Sequence, residues 1–305
     1  VLNLERLRVL HAVAFHGSVA NAARALHITP SGVSQHLGKL ERETGRSLLE
    51  PYGRGVRLTH AGRVLAEHAA RVVAQAAAAE DDLAGLGEET LGPLRIGAVG
   101  SAVRALLPEA LAGLAREHPR LVPSVRDGEV VDMMPPLLHG ELDLLLAESW
   151  NNRPLFLPPG LSVRPLVDEE VRAAVSVDHP LAGRERVGLA ELADAPWASC
   201  AQGTEQHEAL VQAVRGLGTE PDVRYRIVEI PTQLALVGAG LAAALIPDMA
   251  QRPAPTGVRF LPLESPLRRE ITAVWRSGAE TPPIRACVST LTDVLPEAGR
   301  SGEWV

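Results

Sequence analysis

The 305-residue sequence predicts an α/β protein with a small helical head, one long linking helix and a larger body. Three observations carry this prediction. Apolar residues recur at helical spacing through the first 40 residues. Residues 62–86 then run as one alanine-rich helix. From residue 92 onward, short apolar segments alternate with helix-length ones, the rhythm of βα units. Charge divides along the same line. Residues 1–63 hold nine Lys+Arg and four Asp+Glu, a net of +5, whereas residues 64–305 hold 21 and 33, a net of −12. A basic head on an acidic body suits docking on phosphate.

The first helix spans about Asn3 to Phe15, with Leu4, Leu7, Leu10 and Ala14 on one face. Gly17 ends it and Ser18 is a good N-cap for the next helix. That helix carries Ala22, Ala23 and Leu26, small where two helices must approach. Thr29 then caps a third helix, with Pro30 at its first position, where a missing N–H is harmless. Val33, Leu37 and Leu40 face the core at i, i+4 and i+7. Ser31, Ser34, Gln35 and Gly38 occupy the opposite face, flanked by Lys39 and Arg42. Small polar residues let such a helix enter a major groove, and Gln35 has the group that pairs bidentately with adenine. Pro51 to Thr59 follows as a basic wing. Gly53 and Gly55 make its hairpin tip, and Arg54 and Arg57 project toward phosphate or a minor groove. Thr59 caps a new helix near Ala61.

These residues define a winged helix-turn-helix, and Ser18–Gly62 closely resembles the DNA-binding domain of LysR-type transcriptional regulators. The matching positions are Ser18, Ala22-Ala23, Leu26, Thr29, Val33-Ser34, Leu40-Glu41, Gly45, Leu48, Glu50, Arg54 and Leu58-Thr59-His60-Ala61-Gly62. Two departures stand out. Leu49-Glu50-Pro51 replaces the usual Phe-Glu-Arg, which removes one phosphate contact. Pro30-Ser31 replaces the common Gln-Pro pair. Both are taken as changes of site preference. The expected DNA contacts are Thr29, Pro30, Ser31, Ser34, Gln35, Lys39, Arg54 and Arg57.

Gly62 to about Leu86 carries a near-continuous seam of Val64, Leu65, Ala69, Val72, Val73, Ala76, Ala79, Leu83 and Leu86. Small residues on a seam let two helices pack closely. Such a seam implies a homodimer, and the resemblance implies the same, extended to a homotetramer on an imperfect inverted repeat of double-stranded DNA. Gly85, Gly87, Gly92 and Pro93 mark the boundary that follows.

In the body, strands are expected at Leu94–Val99, Leu121–Val125, Leu142–Ala147, Val171–Val177, Pro196–Cys200, Asp222–Val228, Leu241–Ile246, Val258–Pro262 and Ile271–Trp275. Helices are expected at Ser101–His118, Val130–His139, Glu205–Leu217, Thr232–Gly238 and Pro283–Leu295. This alternation argues for a parallel sheet. Leu94-Arg95-Ile96-Gly97, Leu106-Leu107-Pro108, His118-Pro119, Gly140-Glu141-Leu142-Asp143, His179-Pro180-Leu181-Ala182, Pro196-Trp197 and Leu236–Leu241 resemble the effector domain of the same family. The resemblance implies a two-lobed, periplasmic-binding-protein-like α/β fold. The expected domains are 1–60 (winged helix-turn-helix), 61–91 (linker and dimerisation helix) and 92–305 (effector binding). Lobe one covers about 92–164 and 264–297, and lobe two about 165–263, with two crossing strands as the hinge.

Ligands of doubly wound sheets sit beyond strand C-termini, beside helix N-termini. Gly100, Ser101 and Ala102 in lobe one and Gln202, Gly203 and Thr204 in lobe two meet that description. Their N–H groups and hydroxyls suit a carboxylate effector, although Ser101 and Thr204 also read as plain N-caps. Glu148-Ser149 and Pro231-Thr232 are expected to line the cleft. Arg126 and Arg153 are candidate countercharges, and Trp150 a candidate stacking surface.

Other functions find less support. Cys200 and Cys287 form no disulfide framework and fit a reducing cytoplasm. No His-Glu-x-x-His, Cys-x-x-Cys, phosphate-cradling loop or Gly-x-Ser-x-Gly elbow is present, so no metal or cofactor is expected. An enzyme would need Cys200 as nucleophile and His207 as base, with no evident third group. A solute-binding module lacking specific DNA recognition is the other alternative. The amphipathic Val1–Phe15 is unlike a signal peptide, and no apolar run approaches a membrane span. The sequence therefore predicts a cytoplasmic, non-enzymatic DNA-binding regulator modulated by a small-molecule effector.

Overall fold

The computed structural model describes residues 2–52, 55–85 and 90–295. Two compact units meet near Leu86 in the chain.

The first unit begins with α1 (Leu4–His16), whose N-cap Asn3 accepts the Arg6 N–H, and which ends on Gly17 at φ 70°. Ser18 caps α2 (Val19–Ala25) and Thr29 caps α3 (Pro30–Thr44), each accepting a backbone N–H at 3.1 Å. His27, in the turn between them, holds φ 54°. Leu7, Leu10, Ala22, Val33, Leu37 and Leu40 form the shared core. The wing is a hairpin of β1 (Leu49–Tyr52) and β2 (Gly55–Leu58), paired Glu50↔Arg57 and Tyr52↔Gly55. The tip residues 53 and 54, and so Arg54, lie outside the described residues.

Thr59 ties the wing to α4 (His60–Gly85). Its hydroxyl accepts the Gly62 N–H at 3.0 Å and donates to the Ser47 carbonyl at 2.8 Å. Gly62 is required here, because a Cβ at that position would fall 2.1 Å from the Leu48 carbonyl oxygen. Ala66 and Ala69 bury the first turns of α4 against the head. Val64 and Val72, from the same seam, stay 43% and 46% exposed. Of the remaining seam, the Leu83 side chain and all of Leu86 lie outside what is described. No helix among the described residues is long and apolar enough to cross a membrane.

The second unit is built on a six-stranded sheet of order β4-β3-β5-β10-β6-β9. β3 (Gly92–Ala98) lies parallel to both β4 (Leu121–Asp127) and β5 (Leu144–Trp150). β10 (Val258–Arg276) runs antiparallel between β5 and β6 (Leu161–Ser176), and β9 (Ala244–Pro247) is antiparallel to β6. The expected all-parallel sheet is thus corrected to a mixed one. The two crossing strands run against their neighbours because the chain returns between lobes without a helical crossover. The two strands expected at 258–262 and 271–275 are one, with its register shifted between Pro262 and Leu267. The polar stretch around Pro266 bulges but does not end the ladder.

Lobe one packs α5 (Gly100–Ala105), α6 (Leu107–Glu117), α7 (Val130–Leu138) and α10 (Pro282–Asp293) around Ile96, Leu107, Leu114, Met133, Leu145 and Leu291. The single helix expected over 101–118 breaks at Leu106, since Pro108 supplies no N–H to the turn before it. Lobe two has a parallel pair, β7 (Pro196–Ser199) and β8 (Asp222–Arg226), with α8 (Glu205–Arg215) and α9 (Ile230–Gly238). Its core centres on Trp197, Leu210, Val214 and Leu245. β6 and β10 contribute to both cores. Val167, Ile271 and Val274 belong to lobe one's core, while Val171, Ala173 and Leu261 belong to lobe two's.

Candidate DNA interface and effector cleft

Position in α3 decides which of its residues are free. Val33, Leu37 and Leu40 are buried, so Ser31, Ser34, Gln35 and Lys39 are left on the solvent side with Thr29 and Pro30 at its start. The Ser31 hydroxyl lies 3.0 Å from that of Thr29, and Ser34 donates to the Pro30 carbonyl at 3.0 Å. These bonds hold both serines low against the helix and leave Gln35 and Lys39 as the long polar groups on that side. Arg57 is exposed as expected but not unpartnered. It pairs with Glu50 across the hairpin at 2.6 Å and stacks over the Tyr52 ring at 4.9 Å. It therefore presents a braced guanidinium, and Tyr52 is an interface candidate that sequence reasoning missed.

The second unit's cleft is a cavity of about 140 Å3 between the lobes. It falls below the roughly 300 Å3 at which pockets begin to hold drug-sized molecules, so it suits a ligand of few heavy atoms. Lobe one supplies Gly100, Ser101, Glu129 and Glu148, and lobe two supplies Cys200, Gln206 and Glu229–Pro231. Trp150, 1% exposed, forms part of the wall, and its indole Nε1 has no hydrogen-bond partner among the described residues.

Arg269, on β10, is the electrostatic centre and was not anticipated. It is 1% exposed and donates to Glu148 (2.8 Å), Glu169 (2.8 Å) and the Ser101 hydroxyl (2.9 Å). Burial works against its charge, but Glu169 and Glu148 outweigh this and hold the guanidinium protonated. One arginine thus joins α5, β5, β6 and β10 at the hinge. Sequence alone offered one clue: Leu267 and Ile271, two residues to either side, are apolar and point inward, so Arg269 shares their face.

Carboxylates crowd the cleft. Oxygens of Glu129, Glu148 and Glu205 lie within 4.8 Å of one another. Burial first, then Glu148 and Glu205, push Glu129 up to about 7. Burial, with Glu148 adding to it, pushes Glu205 up to about 7 as well. Cys200 is buried and donates to Gln206 Oε1 at 2.7 Å. Burial and the carboxylates of Glu129 and Glu148 drive its thiol far above the ordinary range, which keeps it protonated.

The expected effector residues divide into two groups. Gly100, Ser101 and Glu148 line the cavity. Ala102 is wholly buried in the lobe-one core, and Ser149, one residue from Glu148 on its strand, faces elsewhere and accepts the Leu155 N–H at 3.0 Å. Gln202, Gly203 and Thr204 do not line it. Gly203 and Thr204 border a separate hollow of about 170 Å3 with Arg153 and Phe156. The Gly203 and Thr204 N–H groups there are not free for an anion, because Glu208 accepts the first at 3.1 Å and the Ala201 carbonyl the second at 3.2 Å. The Thr204 hydroxyl donates to the Ala201 carbonyl instead of capping α8. Thr232 bonds Glu229 at 2.8 Å, outside the cavity. Arg126 lies exposed on the edge strand β4.

A DNA-reading head joined to a hinged, ligand-sized cleft defines a ligand-responsive transcriptional regulator. The chain belongs to the LysR family. Residues 4–63 match the bacterial regulatory helix-turn-helix proteins of the lysR family, and residues 87–296 match the LysR substrate binding domain. It is accordingly a DNA-binding transcriptional regulator with an effector-binding domain. A hydrogen peroxide-inducible genes activator of Dickeya chrysanthemi is 29% identical, over 97% of this chain and 95% of the relative. The DNA-binding transcriptional dual regulator OxyR of Escherichia coli K12 is also 29% identical, over 96% and 95%. In fold, a full-length OxyR variant from Pseudomonas aeruginosa superposes with a TM-score of 0.68 at 23% identity, covering 96% and 97%.

Proposed function

We propose that this regulator is cytoplasmic and not an enzyme, that it acts as a homodimer or dimer of dimers through α4, and that a small effector in the lobe cleft tunes its hold on an imperfect inverted repeat. The working domains are 1–60, 61–91 and 92–305, the last with lobes of about 92–164 plus 264–297 and 165–263. Thr29, Pro30, Ser31, Ser34, Gln35, Lys39, Arg54 and Arg57 contact DNA. Gly100, Ser101 and Glu148, with Arg269 behind them, contact the effector. The observation that carries the reading is α3, whose buried face is wholly apolar and whose opposite face is small and polar. Exposed Val64 and Val72 support the dimer, since a second α4 would cover them. Lobe closure about β6 and β10 would favour one arrangement of the paired heads over another.

The peroxide response in the relative's name does not transfer through Cys200. Its thiol is held protonated, and lobe two has no second cysteine to resolve an oxidised sulfur. The non-enzymatic reading is supported by Cys200, whose thiol is held protonated and donates to Gln206 Oε1.

The test is DNA affinity against salt for two variants. Gln35→Ala relaxes discrimination at one base position by about 1–3 kcal/mol and leaves the salt slope unchanged. Lys39→Ala weakens all sequences alike and lowers the slope of log K against log salt by roughly 0.9. A uniform loss for Gln35→Ala would remove α3 as the reading helix.

A further inference from the structure

We propose that the cleft takes a small primary amine, its ammonium group seated between Glu129, Glu148 and Glu205. The inference rests on the reading of this cavity as the effector site and names the chemical class of what fills it.

The charge of the cavity favours a cation. The cavity wall carries Arg104 and Arg269 against Asp127, Glu129, Glu148 and Glu229, and Glu205 adds its oxygen to the cluster from lobe two. Arg269 is already divided between Glu148 and Glu169, and the exposed Arg104 is matched in number by Asp127. Arg153 acts on Glu205 from the neighbouring hollow, while Glu208 and Asp132 add negative charge beside Glu205 and Glu129. Among the described residues, the cavity wall thus offers Glu129 no countercharge of its own, and Glu205 is met only by Arg153 from outside it, so an anion entering would meet repulsion.

The spacing of the carboxylates fits an ammonium group. An ammonium held by three charge-assisted bonds of about 2.8 Å spreads its acceptors roughly 4.6 Å apart. The three carboxylates, drawn from both lobes, sit within that scale. Trp150 is buried in the same wall with an N–H donor that has no acceptor among the described residues. A ligand oxygen one or two carbons from the ammonium would supply one. Without a ligand, Glu129 and Glu205 are near half-protonated at neutral pH. A bound ammonium takes the place of those protons, so binding releases them.

The test uses the full chain and 2-aminoethanol as probe, titrated calorimetrically at pH 7 in two buffers of different ionisation enthalpy. Ethylene glycol, glycolate and Mn2+ serve as neutral, anionic and metal comparisons. The expected result is saturable binding of 2-aminoethanol with net proton release, at least ten-fold tighter than either organic comparison. Glu205→Gln and Glu129→Gln, near-isosteric and already partly protonated positions, each weaken it at least ten-fold. Failure of 2-aminoethanol to bind overturns the proposal, as does tighter binding of Mn2+. Glycolate binding that is tighter and lost in Ser101→Ala overturns the amine class but keeps the cleft as effector site. Amine binding untouched by both glutamine variants sets the amine elsewhere and removes the cleft reading as well.

Discussion

His27 holds the turn between α2 and α3 at φ 54°, a region that costs an L-residue about 1–2 kcal/mol. Glycine would relieve that strain but lose more backbone entropy on folding. His27→Gly is therefore expected to be neutral or to stabilise by up to about 1 kcal/mol, while the β-branched His27→Val destabilises by about 1–2 kcal/mol. Urea unfolding of both variants checks this, and equal losses would mean that the turn relaxes. Single residues were unevenly legible in the sequence. Ser18, Thr29 and Thr59 announce themselves, because a hydroxyl before an apolar-periodic run has a local job, whereas Asn3, expected as the first helical residue, is the cap of α1. Arg269 does not, because its partners come from residues 101, 148 and 169 and no local pattern encodes them. The same holds for Thr204, which looks like a cap but bonds backward to Ala201.

The starts of α1 to α4 were legible to within a residue or two, since caps and glycines punctuate them. The close approach of α4 to the wing was not. Gly62→Ala forces a methyl into the Leu48 carbonyl, so the strand or the helix must shift. An overpacking cost of about 1–3 kcal/mol is expected, together with weaker DNA binding, because Thr59 and Leu48 anchor the wing. Thermal melts alongside DNA titration measure both, and a wild-type melt would mean that the contact yields freely. Strand direction also escaped the sequence. Alternating βα segments imply parallel neighbours, and that rule holds for β3, β4 and β5, where α5, α6 and α7 supply the crossovers. It fails for β6 and β10, which cross between lobes. The length of β10 was hidden by the polar stretch after Pro262, where the ladder only bulges, and that of β6 by Pro165, which lies inside the strand.

At the scale of the molecule, the charge partition was visible from composition, but the acidity of the cleft was not, because Glu129, Glu148 and Glu205 are brought together only by folding two lobes. That crowding has a consequence for stability. Glu129 titrates near 7 in the folded chain and near 4.5 unfolded, so the folded state holds the extra proton between those values. Stability contributed by that proton is full below about pH 4.5 and is lost as pH rises through 7. Glu129→Gln removes the penalty, on the order of 1–2 kcal/mol after solvent screening. Its melting temperature is expected to exceed wild type at pH 8 and to match it near pH 4.5. A difference independent of pH would assign the effect to packing. The two long strands bear on something else. Lobe one is interrupted in the gene by the whole of lobe two, and the joins fall inside β6 and β10, whose residues serve both cores. A recombination event that exchanged one lobe between relatives would cut each strand in mid-register and bring foreign halves to a single hydrogen-bonded ladder. Such a hybrid has to rebuild the ladder that β6 and β10 share, whereas a substitution along the cleft wall leaves it whole.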